Sequence, residues 1–132
     1  MTVVDSSVWI DYFNGVSSPQ ADILYDLLGA EQIVVGDLIL AEVLQGFRRE
    51  ADFKAAHAAL AAFETATMLG PELAVQSAAN YRLLRRRGVT VRRTIDVMIA
   101  TWCVERGHPL LFSDRDFTPC VRHLGLQSFA VG

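Results

Sequence analysis

Carboxylate side chains stand inside otherwise apolar segments at four places in the chain. Asp5 ends a short hydrophobic run, Glu42 interrupts an aliphatic stretch, and Asp96 interrupts a second one. Asp114 and Asp116 follow a third hydrophobic run. A single acid in such a setting is usually a helix cap or a paired core charge. Four together predict a shared site, because buried carboxylates that gather at one place raise one another's pKa.

A divalent cation at such a site would remove the repulsion between the carboxylates. The three histidines are scattered and fit no metal-ligand spacing: His57, His108 and His123. Carboxylate oxygens favour Mg²⁺ or Mn²⁺, and Mg²⁺ also binds substrate phosphate oxygens. One ion lowers the pKa of an attacking water, and a second ion, about 3.5–4 Å away, stabilises the leaving oxygen. The acids therefore indicate phosphodiester hydrolysis with one or two metal ions.

Strand and helix patterns alternate along the chain. Hydrophobic runs predict five strands, at 2–5, 32–35, 65–69, 109–113 and 127–131. Helical spacing predicts seven helices, at 6–13, 19–28, 37–47, 50–63, 71–87, 95–106 and 114–124. Ser6 or Ser7 is suited to cap the first of these helices and Thr94 the sixth. Strands separated by helices predict a parallel sheet with helices on both faces.

Two of the predicted strands end directly on acids, Asp5 and Asp114. Ligands of parallel sheets bind beyond the carboxyl ends of the strands, where the strand order reverses. If these two strands are neighbours, two carboxylates meet at that crevice.

Length and composition are typical of one compact domain, residues 1–132. Hydrophobic residues make up 52% and charged residues 20%, which argues against disorder. No apolar run reaches the roughly 18 residues of a transmembrane helix, and the N-terminus lacks a signal-peptide pattern. Cys103 and Cys120 lie outside any CxxC pattern, so buried thiols in a reducing cytoplasm are expected.

The chain has a formal net charge of −3 but contains a local basic patch. Half of the twelve basic residues lie in it: Arg82, Arg85, Arg86, Arg87, Arg92 and Arg93. The net charge argues against binding nucleic acid by bulk attraction. The patch is either a track for a phosphate backbone or a helix end that favours positive charge. On the first interpretation nucleic acid contacts Arg85, Arg86, Arg87, Arg92 and Arg93.

At these acids the sequence resembles the PIN-domain nucleases, and specifically the VapC-type toxins of bacterial and archaeal toxin–antitoxin pairs. The resemblance covers the whole chain and rests on four segments: Val4-Asp5-Ser6-Ser7, Glu42-Val43-Leu44-Gln45-Gly46, Thr94-Ile95-Asp96-Val97-Met98-Ile99-Ala100 and Ser113-Asp114-Arg115-Asp116-Phe117. Many relatives have Asn-Asp where this chain has Ser113-Asp114, which keeps the acid and loses an amide. The family fold is a three-layer α/β/α sandwich with a central parallel sheet of strand order 3-2-1-4-5.

What the resemblance implies is a Mg²⁺-dependent endoribonuclease, with Mn²⁺ as a possible substitute, that hydrolyses RNA by metal-activated water. The family's acidic set matches Asp5, Glu42, Asp96 and Asp114 by position, and Asp116 matches an acid often found two residues later. These five are the expected catalytic residues and metal ligands. Ser7 matches a Ser or Thr whose hydroxyl supports the site, although it is also suited to be only a helix cap.

The resemblance also implies a VapB-type antitoxin. Its C-terminal segment lies in a hydrophobic groove of the toxin and can direct a basic side chain toward the acids. Trp9, Tyr12, Phe13 and Phe47 are candidates for lining that groove, and ordinary core packing is an equal alternative for Trp9 and Phe47. A homodimer or a toxin–antitoxin hetero-oligomer is expected, with no membrane partner.

Three other classes of protein share part of this pattern. A phosphoryl-accepting receiver domain needs a lysine near its last strand, but the only lysine, Lys54, lies in the alanine-rich helix. A haloacid-dehalogenase-like phosphatase needs Asp-x-Asp after its first strand, where this chain reads Asp5-Ser6-Ser7. The third is a catalytically weak PIN-fold module that serves mainly as an antitoxin-binding and DNA-regulatory partner, which the intact acids disfavour.

Overall fold

A computed structural model describes residues 1–30 and 32–129. Its sheet has four strands, β1 (Thr2–Val4), β2 (Ile33–Gly36), β3 (Glu64–Ala66) and β4 (Leu110–Leu111). All of them pair in parallel, in the order β3-β2-β1-β4. Every residue of the two inner strands is buried, which explains why β1 and β2 are continuous hydrophobic runs.

Helices fill the connections between these strands. The described ranges contain α1 (Ser6–Phe13), α2 (Pro19–Leu27), α3 (Asp37–Gln45), α4 (Glu50–Leu60), α5 (Pro71–Arg86), α6 (Thr94–Arg106) and α7 (Thr118–Leu124). Parallel strands are joined by right-handed crossovers. The path from β1 through β2 to β3 therefore places α1 to α4 on one face, and the return from β3 to β4 places α5 and α6 on the other. The predicted three-layer sandwich is confirmed.

The C-terminal part of the chain differs from the expected helix and strand. The segment expected as one helix divides into a 3₁₀ turn (Arg115–Phe117) and α7. Pro119 explains the division, because proline lacks an N–H donor and is accommodated in the first turn of a helix. The strand expected at 127–131 is represented by one parallel bridge from Ser128 to Leu110. Residues 130 and 131 lie outside the described residues.

The N-caps of two helices precede the predicted ones, which were Ser6 or Ser7 for α1 and Thr94 for α6. The N-cap of α1 is Asp5, whose side chain accepts from the Ser7 backbone N–H, and Ser6 is already the first helical residue. The N-cap of α6 is Arg93, which makes no side-chain capping bond, and Thr94 lies inside the helix. In both cases the residue expected to cap begins the helix, because the charged residue before it has the extended backbone that a cap requires.

The hydrophobic core covers both faces of the sheet. Trp9 is 1% exposed, and Phe117 is fully buried. Both cysteines, Cys103 and Cys120, are buried free thiols, as predicted. Across residues 1–30 and 32–129, the helices are too short or too polar to cross a membrane.

Candidate metal centre

The ends of β1 and β4 bring two acids to one edge of the sheet. Val4 pairs with Leu111, and the Asp5 N–H donates to the Leu111 carbonyl at 2.9 Å. Asp114 follows three residues after Leu111. The two strands are therefore neighbours, and the crevice expected beyond their carboxyl ends is present.

Two helices add further acids above this edge. Glu42 lies on α3 and Asp96 on the first turn of α6, and these helices, from opposite faces of the sheet, contact each other. Arg93, directly before α6, joins the acids: its Nη1 lies 3.4 Å from Glu42 Oε2, and its Nη2 lies 2.9 Å from Asp96 Oδ1. The same Nη2 lies 3.7 Å from Asp114 Oδ2. One guanidinium thus contacts carboxylates from three separate elements.

Three of the acids have the spacing of a single cation site. Asp96, Asp114 and Asp116 each offer one carboxylate oxygen, and these oxygens lie within 4.8 Å of one another. The 3₁₀ turn supports this arrangement, because the Asp116 N–H donates to Asp114 Oδ1 at 2.9 Å. Arg92 lies at the outer side, with its Nε 3.8 Å from Asp116 Oδ1.

Asp5 is the most deeply buried acid of the group, with no exposed surface. Its Oδ2 accepts from the Ser7 hydroxyl at 2.7 Å and from the Ser7 backbone N–H at 3.2 Å. Its Oδ1 is buried without a hydrogen-bond partner in the described part of the chain. A buried carboxylate oxygen without a donor is unfavourable unless a ligand satisfies it. This oxygen and the all-oxygen donor set fit a hard divalent cation.

Serine hydroxyls connect these acids to the ends of the strands. Ser113 Oγ donates to Ser7 Oγ at 3.2 Å, so a short chain of hydrogen bonds runs from the end of β4 to Asp5. Ser6 Oγ donates to Glu42 Oε1 at 3.2 Å. Sequence reasoning gave Ser6 only a capping role and gave Ser113 none. Their positions directly beside Asp5 and Asp114 were the available signal, since neighbours of a strand-end acid lie at the same edge.

Burial raises the pKa of three acids, Asp5, Glu42 and Asp96. It raises the pKa of Asp96 to about 6, although the hydrogen bonds from Arg93 act in the opposite direction. Burial also raises the pKa of Asp5. The pKa of Glu42 is raised mainly by burial and to a smaller extent by the negative charge of Asp5. For Asp96 the metal-free fold therefore loses stability as pH rises from about 4 to about 6, because the unfolded chain ionises first.

The expected nucleic-acid contacts fall into two groups. Arg85 and Arg86 are exposed in the last turn of α5, and Arg87 follows them as the C-cap. Arg92 and Arg93 instead reach the acids, and both line a cavity beside Asp96 and Asp116. Arg85 to Arg87 thus retain both interpretations, a phosphate track and a helix end, whereas Arg93 belongs to the acidic site.

Comparison with known proteins identifies the class to which this fold and site belong. Residues 2–119 match the model of the PIN domain, and the chain belongs to the PIN domain family.

Similar proteins of this family carry the name VapC, as the resemblance implied. The chain is 29% identical to Ribonuclease VapC11 of Mycobacterium tuberculosis and to a VapC ribonuclease of Mycobacterium bovis, over 97% of this chain and of each relative. The solved structure of VapBC2 from Rickettsia felis bound to a promoter DNA fragment has a TM-score of 0.77 at 14% identity, covering 97% of this chain and 96% of that chain. VapC20 of Mycobacterium tuberculosis, a Sarcin-Ricin loop cleaving toxin, has a TM-score of 0.66 at 17% identity, covering 89% and 93%.

Proposed function

We propose that this chain is a divalent-metal-dependent endoribonuclease that acts as the toxin of a toxin–antitoxin pair in the cytoplasm. The observation that carries the proposal is that Asp5, Glu42, Asp96 and Asp114, which come from four separate elements, converge at the same edge of the sheet. Further support comes from the relatives of similar length that are named VapC ribonucleases. We assign Mg²⁺ as the ion, with Mn²⁺ as a substitute, because the donors are carboxylate oxygens.

The proposed ligands and catalytic residues are the five acids Asp5, Glu42, Asp96, Asp114 and Asp116. The bound ion would supply Lewis-acid stabilisation of phosphate oxygens and a water of lowered pKa. The chain's own part is to hold the acids in place. Ser7 orients Asp5, Ser6 orients Glu42, and the backbone of the 3₁₀ turn orients Asp114. Because the pKa of Asp96 is raised, protons compete with the cation for its oxygens at acid pH.

The proposal is tested by RNA cleavage with the purified chain, free of antitoxin. We expect cleavage with Mg²⁺ or Mn²⁺, no cleavage in EDTA, and recovery when the ion is restored in excess. Measuring product length on denaturing gels separates internal cleavage from trimming of the ends. Full activity in EDTA would contradict the metal assignment. Binding of antitoxin and promoter DNA without any RNA turnover would favour the alternative, a catalytically weak module.

The proposed macromolecular partner is a VapB-type antitoxin, in a homodimeric toxin or a toxin–antitoxin hetero-oligomer. The Rickettsia felis neighbour is itself a VapBC2 assembly on promoter DNA, which supports this kind of partner. Tyr12, Phe13 and Phe47 are half-buried and pack edge to face, Tyr12 on Phe13 and Phe13 on Phe47. We assign these three to the antitoxin groove and leave Trp9 out of it, because Trp9 is buried in the core.

Replacing Arg85, Arg86 and Arg87 together by alanine tests the phosphate track. We expect weaker RNA binding and a salt dependence that is shallower by about 2 in the slope of log K against log salt, since each lost phosphate contact removes about 0.7 for a single strand. Binding is measured over a salt series with cleavage blocked by EDTA.

A matched control removes exposed positive charge elsewhere. Arg49 and Lys54 pair with acids on α4, at 4.0 Å each, and their replacement by alanine should leave the salt slope unchanged. If the triple variant also keeps the wild-type slope, these arginines serve the negative end of the α5 dipole.

A further inference from the structure

We propose that Arg93 is a built-in cation that occupies the acidic site of the metal-free protein and is displaced from Asp96 when a divalent ion binds. The exchange weakens the affinity for the ion, so that Arg93 sets the metal concentration at which the site fills. This inference rests on the proposed metal-dependent function. Its basis is the set of contacts that one guanidinium makes.

The contacts of Arg93 are those of a bidentate clamp. Its Nε donates to Asp96 Oδ2 at 3.1 Å, and its Nη2 donates to Asp96 Oδ1 at 2.9 Å. Both oxygens of this carboxylate therefore accept charge-assisted hydrogen bonds, which are about twice as strong as neutral ones. The remaining Nη1 faces Glu42 at 3.4 Å. The same guanidinium is thus shared among proposed metal ligands.

A divalent ion would need the same oxygens. Asp96 is one of the three acids whose oxygens lie within 4.8 Å of one another, so an ion placed among them contacts an oxygen already used by Arg93. A guanidinium and a divalent ion that share one carboxylate also repel each other strongly at a few ångströms, because the site is partly withdrawn from water. Binding of the ion is therefore favoured when Arg93 leaves.

Arg93 is the partly exposed member of the pair, whereas Asp96 is buried. The side chain of Arg93 is 44% exposed, and that of Asp96 is 4% exposed. Arg93 makes no side-chain capping bond to the backbone of α6, so its guanidinium contacts this helix only through Asp96. The long side chain can turn toward solvent without uncovering the core. The part that moves is thus the arginine, and the acids stay in place.

A different role for Arg93 would change metal binding in the opposite direction. If Arg93 holds Asp96 in the orientation that the ion requires, its removal weakens binding of the ion. If Arg93 competes with the ion, its removal tightens binding. The sign of the change in Kd therefore distinguishes a competitor from a support.

The test is Mn²⁺ binding to the Arg93→Ala variant and to the wild-type chain, both without RNA. Binding is measured by calorimetry and by the electron paramagnetic resonance signal of free Mn²⁺. We expect the Kd of the variant to fall by about tenfold, since hydrogen bonds between charged groups contribute on this scale. Without metal the variant should have a lower Tm, and saturating Mn²⁺ should raise its Tm more than that of the wild type. Arg93→Lys keeps the charge but loses the bidentate clamp, so it should show a smaller tightening.

Arg92→Ala is the matched control, because it removes the same charge beside the site. Arg92 is 79% exposed and makes one 3.8 Å contact to Asp116, so its loss should change the Kd by less than about threefold. Equal or weaker Mn²⁺ binding by both Arg93 variants would overturn this inference and leave the ribonuclease proposal standing. Absence of Mn²⁺ binding by wild type and variants alike would overturn the metal site and this inference with it.

Discussion

Replacing Asp5 by asparagine should lower RNA cleavage by more than about a hundredfold while the fold persists. Loss of a residue that only supports a metal ligand already costs about 10–100-fold, and Asp5 is proposed as a ligand itself. Asparagine has nearly the same shape and keeps an oxygen that accepts from both Ser7 donors. What it removes is the negative charge that would hold the ion. Initial rates of cleavage at saturating Mg²⁺ measure the effect.

The same substitution should leave the metal-free fold at least as stable as the wild type. Asp5 is fully buried, and its Oδ1 has no partner among the described residues, so its charge is unfavourable without an ion. We expect the free energy of unfolding in EDTA to stay within about 1 kcal/mol of the wild type or to rise. The stabilisation of the wild type by Mg²⁺ should be lost in the variant.

Asp52→Asn is the control for Asp5→Asn. Asp52 is an exposed acid on α4 that pairs with Arg49, so its replacement should leave the cleavage rate unchanged. Wild-type cleavage by Asp5→Asn would remove Asp5 from the ligand set. A loss of activity together with a loss of folding, seen by circular dichroism, would mean that Asp5 serves chiefly as the N-cap of α1.

Replacing Trp9 by alanine should reduce the free energy of unfolding by about 3–5 kcal/mol, as expected for a large aromatic side chain in a core. Trp9 is 1% exposed, and its ring packs against Phe13 at 5.9 Å and Phe63 at 5.6 Å between centroids. It lies on α1, four residues after Asp5, so its packing also anchors the helix start at the site. Denaturant titrations of the metal-free chain measure the loss.

Two further variants separate core packing from a role in partner binding. Trp9→Phe keeps an aromatic ring and removes an indole N–H that has no partner among the described residues, so it should cost less than Trp9→Ala. Tyr12 is half-buried at the outer side of the same aromatic cluster, so Tyr12→Ala should destabilise the fold less than Trp9→Ala. If Trp9→Ala kept the wild-type midpoint, Trp9 would belong to the binding groove after all.

Local patterns in the sequence were sufficient to locate four of the five expected strands, most of the helices and the acids. Asp5 and Asp114 follow hydrophobic runs that are strands, and Glu42 and Asp96 lie on helices at the predicted places. These features depend on periodicity and on near neighbours in the chain, which the sequence contains directly. The boundaries of the elements were predicted less accurately: Asp5 rather than a serine caps α1, because capping depends on the backbone angles of one residue.

The relations between distant residues required the tertiary structure. The sequence placed Arg93 with the basic patch, but the fold inserts it between Asp96 and Glu42 because α6 begins beside α3. Trp9 had two equal interpretations until its burial assigned it to the core. Spacing along the chain carries no information about which side chains meet across a sheet, since that depends on how α1, α3, α6 and β4 pack together. The acids could therefore be predicted from the sequence, whereas the position of Arg93 among them is seen only in the fold.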